Sequence, residues 1–282
     1  MLWELAIGDA YGAGFEYVSS KIIQQHNDLS SYIKHPRHQI EPGCYTDDTQ
    51  MSIAIAETIV AQKPWTPEVL ADAFVVAFKR DPRVGYASRF YDFLVNVRDG
   101  REFLDKIIPT SDKSGAAMRA APIGVFPNIE QVIEFTTIQA AVTHNTADGI
   151  NAAVAAALMS HYFLYQLGAK KDLGNFLENH VSGQWSQPWQ AKVTAQGWIA
   201  VRAAITAVMR NDRMSKLLQD CIAFTGDVDT VATIALAAAS CSTEITQDIP
   251  TYLIESLENR AYGRDYLLAL DKSLMNAVKN KM

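Results

Sequence analysis

Three observations predict an all-α fold. Apolar residues recur at helical spacing along most of the chain, alternating runs of strand length are scarce, and alanine is frequent where the apolar stripes lie. The first stripe, 50–62, is an apolar run directly behind an acidic stretch. The clearest element is "TPEVLADAFVVAFKR", residues 66–80. Thr66 suits the N-cap, Pro67 the first helical position, and Lys79 and Arg80 the last turn. Leu70, Ala73, Phe74, Ala77 and Phe78 share one face, and Pro82 closes the segment. The same spacing predicts helices over 101–107, 129–138, 147–167, 190–210, 214–223, 230–240, 251–260 and 264–278. The stretch "INAAVAAALMSHYFLYQLGA" is interrupted by Asn151, His161 and Gln166, and reads as a buried helix rather than a membrane span. No Gly/Ser/Pro-rich linker or low-complexity segment divides the chain, so one compact multi-helix domain over 1–282 is expected.

The 282 residues are 49% hydrophobic, enough for a sizeable core, and the net charge of −6 argues against broad binding of nucleic acid. Cys44, Cys221 and Cys241 are odd in number and lack zinc spacing, which reads as reduced thiols in a cytoplasmic protein. The N-terminus lacks the basic start and long apolar core of a secretion signal. A monomer is the plainest expectation.

The unusual residues lie in the connections, above all in "SSYIKHPRHQIEPGCYTDD", "RDPRVGYASRF" and "PTSDKSGAAMRAAPIG". Residues 48–56, "DTQMSIAIA", and 229–237, "DTVATIALA", follow one pattern, D-T-x-x-x-I-A-[IL]-A. A second acid precedes each Asp-Thr closely, Asp47 in one copy and Asp227 in the other. Capping explains either copy alone, since Asp and Thr cap helices and acids favour the positive end of the dipole. It does not explain four carboxylates at two similar entrances, because one cap needs one acceptor. If the two entrances face each other, the carboxylates converge and require cations. Mg²⁺ and Mn²⁺ take oxygen ligands, and four Asp with two Thr suit two such ions.

Three weaker patterns accompany the pair. In "GDAYGAGFE", Gly8, Gly12 and Glu16 share a helix face if the segment stays helical, and Asp9 points the same way as Glu16. The alternative is a solvated acidic face with glycines for close packing. "KSGAAMRAAPIG", 113–124, reads as an anion cradle or as a tight turn into a small-residue helix. In "VTHNT", His144 beside Asn145 reads more simply as a hydrogen-bonded cap than as a catalyst.

In this order, "GDAYGAGFE", "YTDDTQM", "KSGAAMRAAPIG", "VTHNT" and "TGDVDTVA" resemble the signatures of the ADP-ribosylglycohydrolase family, which includes the dinitrogenase-reductase-activating glycohydrolases and the ADP-ribosyl-acceptor hydrolases. They span residues 8 to about 240. The resemblance implies an all-α domain with two Mg²⁺ or Mn²⁺ ions in a cleft. It implies Thr46, Asp47 and Asp48 as metal ligands from one entrance, and Asp227, Asp229 and Thr230 from the other. Glu16 matches an acid near the metals and, with Asp47 and Asp48, is expected in catalysis. Asp9, Gly85, Tyr86, Lys113, Ser114, Gly115, Ala116, Met118 and His144 are expected around the substrate. "DPRVGY", 81–86, is similar to a loop in members that release serine-linked ADP-ribose. Two departures stand out: Thr225 replaces a glycine, and Lys113-Ser114-Gly115 replaces G-N-G.

The implied reaction is hydrolysis of the bond between ADP-ribose and an acceptor, either a protein side chain or a small conjugate, through an oxocarbenium-like transition state. Glu16 or an aspartate is its acid or base. The competing expectations are an inactive ADP-ribose-binding or crystallin-like structural relative, and a two-metal phosphoesterase.

Overall fold

The computed structural model describes residues 1–279. Its helices are α1 (Leu2–Ala13), α2 (Ser20–His26), α3 (Asp47–Val60), α4 (Pro67–Arg80), α5 (Ser88–Asn96), α6 (Gly100–Lys106) and α7 (Ile129–Ala141). Then come α8 (Ala147–Leu164), α9 (Leu173–His180), α10 (Gly197–Arg210), α11 (Met214–Ala223), α12 (Val228–Ala239), α13 (Thr251–Ser256) and α14 (Arg264–Lys279). Short 3₁₀ turns lie at Ser114–Ala116, Ala121–Val125 and Lys170–Asp172. Among the described residues the only β pairing is in isolated bridges. The fold is all-α, as the spacing predicts, around one continuous apolar core.

The centre of that core is α12, buried along its whole length. Helix α1 lies against it at close range, and its glycines are the reason. A side chain at Gly8 would meet the Ala232 carbonyl oxygen at 2.6 Å, and one at Gly12 would meet the Asp229 Cα at 2.3 Å. The glycines of "GDAYGAGFE" therefore serve close packing, and they bring α1 up to the acidic entrance of α12.

α4 starts and stops as its caps predict, with Thr66 Oγ1 accepting from the Val69 N–H. α11 matches its predicted span. Other boundaries moved for tertiary reasons. α1 stops at Ala13, and Glu16 sits in a turn whose next residue, Tyr17, has φ +48°. The shared helix face of Asp9 and Glu16 is therefore not formed. α10 begins at Gly197 rather than 190, because the preceding residues pair with other loops. There the Val193 N–H donates to the Thr225 carbonyl at 3.0 Å, and the Ser114 N–H donates to the Ala195 carbonyl at 2.9 Å. α13 ends at Ser256, and the chain beyond it brings Glu258 to Arg83. α8 ends at Leu164, just before Gln166 at φ +53°. The short helices α2, α5 and α9 have no counterpart in the periodicity reading. No described helix is long and apolar enough to cross a membrane, and the three cysteines form no disulfide.

Candidate metal centre and substrate cleft

The starts of α3 and α12 open into one cavity of about 360 Å³. Five carboxylates line it: Glu16, Asp47, Asp48, Asp227 and Asp229. Neither N-cap residue, Thr46 or Asp227, caps its own helix. At α3 the cap comes from α1. Asp9 Oδ2 accepts from the Thr46 N–H (2.9 Å), the Thr49 N–H (3.0 Å) and the Thr49 hydroxyl (2.6 Å), and Oδ1 accepts from the Thr46 hydroxyl at 2.7 Å. Asp9 is fully buried and does not line the cavity. Expected beside substrate, it instead stands behind the cavity lining and braces the α3 entrance with both oxygens. Asp47 and Asp48 are thereby released from capping and face the cleft.

Carboxyl and donor atoms of Glu16, Asp227 and Asp229 lie within 4.8 Å of one another. The tight cluster therefore pairs Glu16 with the α12 acids, while Asp47 and Asp48 stand on the same cavity wall outside it. The turn after α1 makes this possible, since the Tyr17 N–H donates to the Gly226 carbonyl at 2.8 Å. Burial raises the affinity of all five acids for protons. In Asp47 and Asp48 the Asp9 charge adds to burial, and in Asp229 the Glu16 and Asp227 charges do. Glu16 is raised by burial against the opposing charge of His38, and Asp227 is pushed up to about 7 by burial and the Glu16 charge. Thr230 is buried beside them and its hydroxyl favours ionised Asp48 and Asp227.

This donor set fits divalent cations. Asp48 Oδ2 and Asp229 Oδ1 are buried and have no hydrogen-bond partner, which is costly for a carboxylate that nothing else neutralises. Every donor is a hard oxygen of the kind Mg²⁺ and Mn²⁺ take. The Thr46 hydroxyl gives its proton to Asp9 and keeps its lone pairs, although Thr46 does not line the cavity.

Beside the α12 acids lies the turn at Ser114–Ala116. The Gly115 N–H has no acceptor among the described residues, whereas Ala116 closes the 3₁₀ turn. Lys113, Ser114, Gly115 and Met118 line the cavity; Ala116 is buried and does not line it. Ser114 Oγ donates to Asp227 Oδ2 at 3.2 Å, joining this turn to the α12 entrance. Lys113 Nζ lies 3.2 Å from Asp112 Oδ1. His144 lines the same wall, and burial followed by the Arg119 charge pushes its pKa down to about 3, so it is neutral.

The loop 81–86 borders the cavity through Gly85, beside Asp47. Arg83 pairs with Asp81 and Glu258 and stacks 3.9 Å over the Tyr45 ring. Gly85 has φ +116°, and a side chain there would meet Asp47 Oδ1 at 2.3 Å, so glycine is required on both counts. Tyr86 does not line the main cavity. Its hydroxyl donates to Gln50 Oε1 at 2.7 Å, and its ring lines a second cavity of about 390 Å³. Glu16 and Gly85 are common to both cavities.

Tyr17, Phe90, Ile107, Ile108, Arg119, Thr143 and Ala195 also line the main cavity and were not singled out from the sequence. Arg119 and Thr143 stood inside quoted motifs; the others carry no local signal. Thr225, the departure from glycine, adopts φ +64° beside Gly226 at φ +95°.

Fold and cleft together define an all-helical protein with a carboxylate-rich centre beside a small-residue turn. The chain belongs to the ADP-ribosylglycohydrolase family, whose profile matches residues 1–281. It is 28% identical over 167 residues to the ADP-ribosylhydrolase ARH3 of Xenopus tropicalis, covering 56% of this chain and 47% of that protein. It is 25% identical over 285 residues to the ADP-ribosyl-[dinitrogen reductase] glycohydrolase of Rhodospirillum rubrum, covering 94% and 93%. The chain thus spans about half the length of the first relative and nearly all of the second. A solved structure titled "ADP-ribosylglycohydrolase-related protein complex" shares the fold, with a TM-score of 0.75 at 20% identity over 98% of this chain and 96% of that one.

Proposed function

We propose that this protein is a divalent-metal-dependent hydrolase that cleaves the glycosidic bond between ADP-ribose and an acceptor, either a modified protein side chain or a small conjugate. The observation that carries the reading is the meeting, in one cavity, of five carboxylates, three of them buried, with the free N–H of Gly115. The acids suit cations and the turn suits a phosphate, as a substrate with a ribose and a pyrophosphate requires.

Thr46, Asp47, Asp48, Asp227, Asp229 and Thr230 are the ligands in this reading, and Glu16 joins them through its place in the cluster. When bound, two Mg²⁺ or Mn²⁺ ions would stabilise charge on the ribose hydroxyls and make a water more acidic. The Gly115 N–H and Lys113 hold the pyrophosphate. Glu16 stands between the two cavities, where the bond to the acceptor would lie, and a carboxyl group there is placed to move a proton. The second cavity receives the acceptor, with Tyr86 in its wall. The free cysteines favour a reducing, cytoplasmic setting, and a monomer is the plainest reading.

The test is a panel of arginine-, serine- and acetyl-linked ADP-ribose substrates with Mg²⁺, Mn²⁺ or EDTA. Release of ADP-ribose with metal and none in EDTA is expected. Undiminished turnover in EDTA would sink the metal assignment. Tight binding of ADP-ribose with no turnover of any conjugate would favour the inactive relative, and phosphate release from ADP-ribose would favour a phosphoesterase.

A further inference from the structure

Arg119 is the largest fully buried side chain of the protein, 1% exposed, and among the described residues no carboxylate pairs with it. Its guanidinium stacks 4.2 Å over the Phe74 ring. Nε donates to Gln139 Oε1 at 2.8 Å, and Nη2 donates to the Gln139 carbonyl at 3.2 Å and to Thr143 Oγ1 at 2.9 Å. Thr143 Oγ1 in turn lies 2.6 Å from His144 Nδ1. The direction of this chain of contacts follows from its first member. Arginine only donates, so the Thr143 oxygen is an acceptor toward Arg119. The Thr143 hydroxyl proton then has one partner among the described residues, His144 Nδ1, and a buried hydroxyl takes the partner it has.

We propose that Arg119 and Thr143 are positioning residues that lock His144 as the Nε2–H tautomer, so that the cleft is offered a neutral hydrogen-bond donor above Gly115. The ring edge that carries Nε2 faces this turn: a side chain at Gly115 would meet His144 Cε1 at 3.0 Å and Nε2 at 3.3 Å. Nε2 has no partner among the described residues, and His144 lines the cavity. The imidazole stays uncharged because it is buried and the fixed Arg119 charge stands close by. Without the Thr143 proton, Nδ1 would itself need a proton to meet any remaining acceptor, and Nε2 would turn from donor to acceptor. A phosphate or hydroxylate oxygen above Gly115 would then face a lone pair instead of an N–H. The ligand half of this inference rests on the ADP-ribose reading; the tautomer half rests on the geometry alone.

Ring ¹⁵N NMR separates the two halves. The protein is labelled, and the His144 signals are assigned by their loss in His144→Gln. Wild type is expected to show a protonated Nε2 and a bare Nδ1. Thr143→Val, nearly the same in shape, is expected to shift the tautomer population and to weaken ADP-ribose binding by calorimetry about tenfold, the scale of one lost hydrogen bond. Thr143→Ser restores both. A protonated Nδ1 in wild type, or a Thr143→Val variant with unchanged ring signals and affinity, would overturn the proposal. If the ring behaves as expected but wild type does not bind ADP-ribose, the relay stands and the ligand reading fails.

Discussion

The entrances of α3 and α12 carry one nine-residue pattern but are held in different ways. The α3 entrance is braced by a side chain. Four bonds from Thr46 and Thr49 converge on Asp9, which lies behind it in α1. The α12 entrance is braced by backbone. The Asp227 N–H donates to the Val193 carbonyl at 3.3 Å, the Val193 N–H donates to Thr225, and only Ser114 contributes a side-chain bond. Gly226 makes this approach possible, since a side chain there would fall 1.8 Å from the Val193 carbonyl oxygen. The two halves also differ in charge density. Glu16 is drawn to α12, so the tight three-carboxylate cluster belongs to that half. A repeated local pattern therefore produces two acidic mouths, and the surroundings decide which is the crowded one.

The largest effect should come from removing the acids themselves. Asp229→Ala is expected to lower metal-dependent release of ADP-ribose by at least about a thousandfold, roughly 4 kcal/mol of barrier. Asp47→Ala should abolish turnover similarly but weaken metal binding less, because Asp47 stands outside the cluster; calorimetric titration with Mn²⁺ checks the difference. Full turnover by both variants would remove the metal role from both entrances. The next effect is on stability. Asp9→Ala removes all four bonds from Thr46 and Thr49 and should cost about 3 kcal/mol in denaturant unfolding. Its counterpart at α12, Ser114→Ala, removes one bond and should cost about 1 kcal/mol. Equal costs would mean that the two entrances are braced alike.

Metal removal should give a pH-dependent effect whose sign follows from Asp227. Its folded proton affinity is raised from 3.8 to about 7. In metal-free protein the stability this group contributes is full below about pH 4 and is lost as pH rises through about 7. Bound cations need the ionised form, so the gain in melting temperature on adding Mn²⁺ should be small at pH 5 and grow to a plateau above about pH 7. At a hundredfold excess over Kd the plateau corresponds to about 2.7 kcal/mol. A flat difference across this range would dissociate the acids from the metal. The smallest effect is at Thr225, a β-branched residue held at φ +64°. Thr225→Gly should relieve that conformation and raise stability by about 1 kcal/mol or less, read as a small rise in melting temperature.

By itself the sequence determined the helical class, the spans of α4 and α11, the paired acidic entrances and the small-residue turn at 114–116. These are legible because helix period, caps and the D-T pattern are local properties of consecutive residues. Only the tertiary structure decided which acids meet. Asp9 and Glu16 are seven residues apart and read as neighbours on one face, yet one braces α3 and the other joins Asp227 and Asp229. The segment 190–196 reads as helix but spends its backbone groups on Thr225 and Ser114 instead. Arg119 and Thr143 carry no signal beyond their motifs until the fold stacks one behind the other. Such choices depend on backbone bonds and desolvation between segments distant in the chain, and no periodicity within a single segment encodes them.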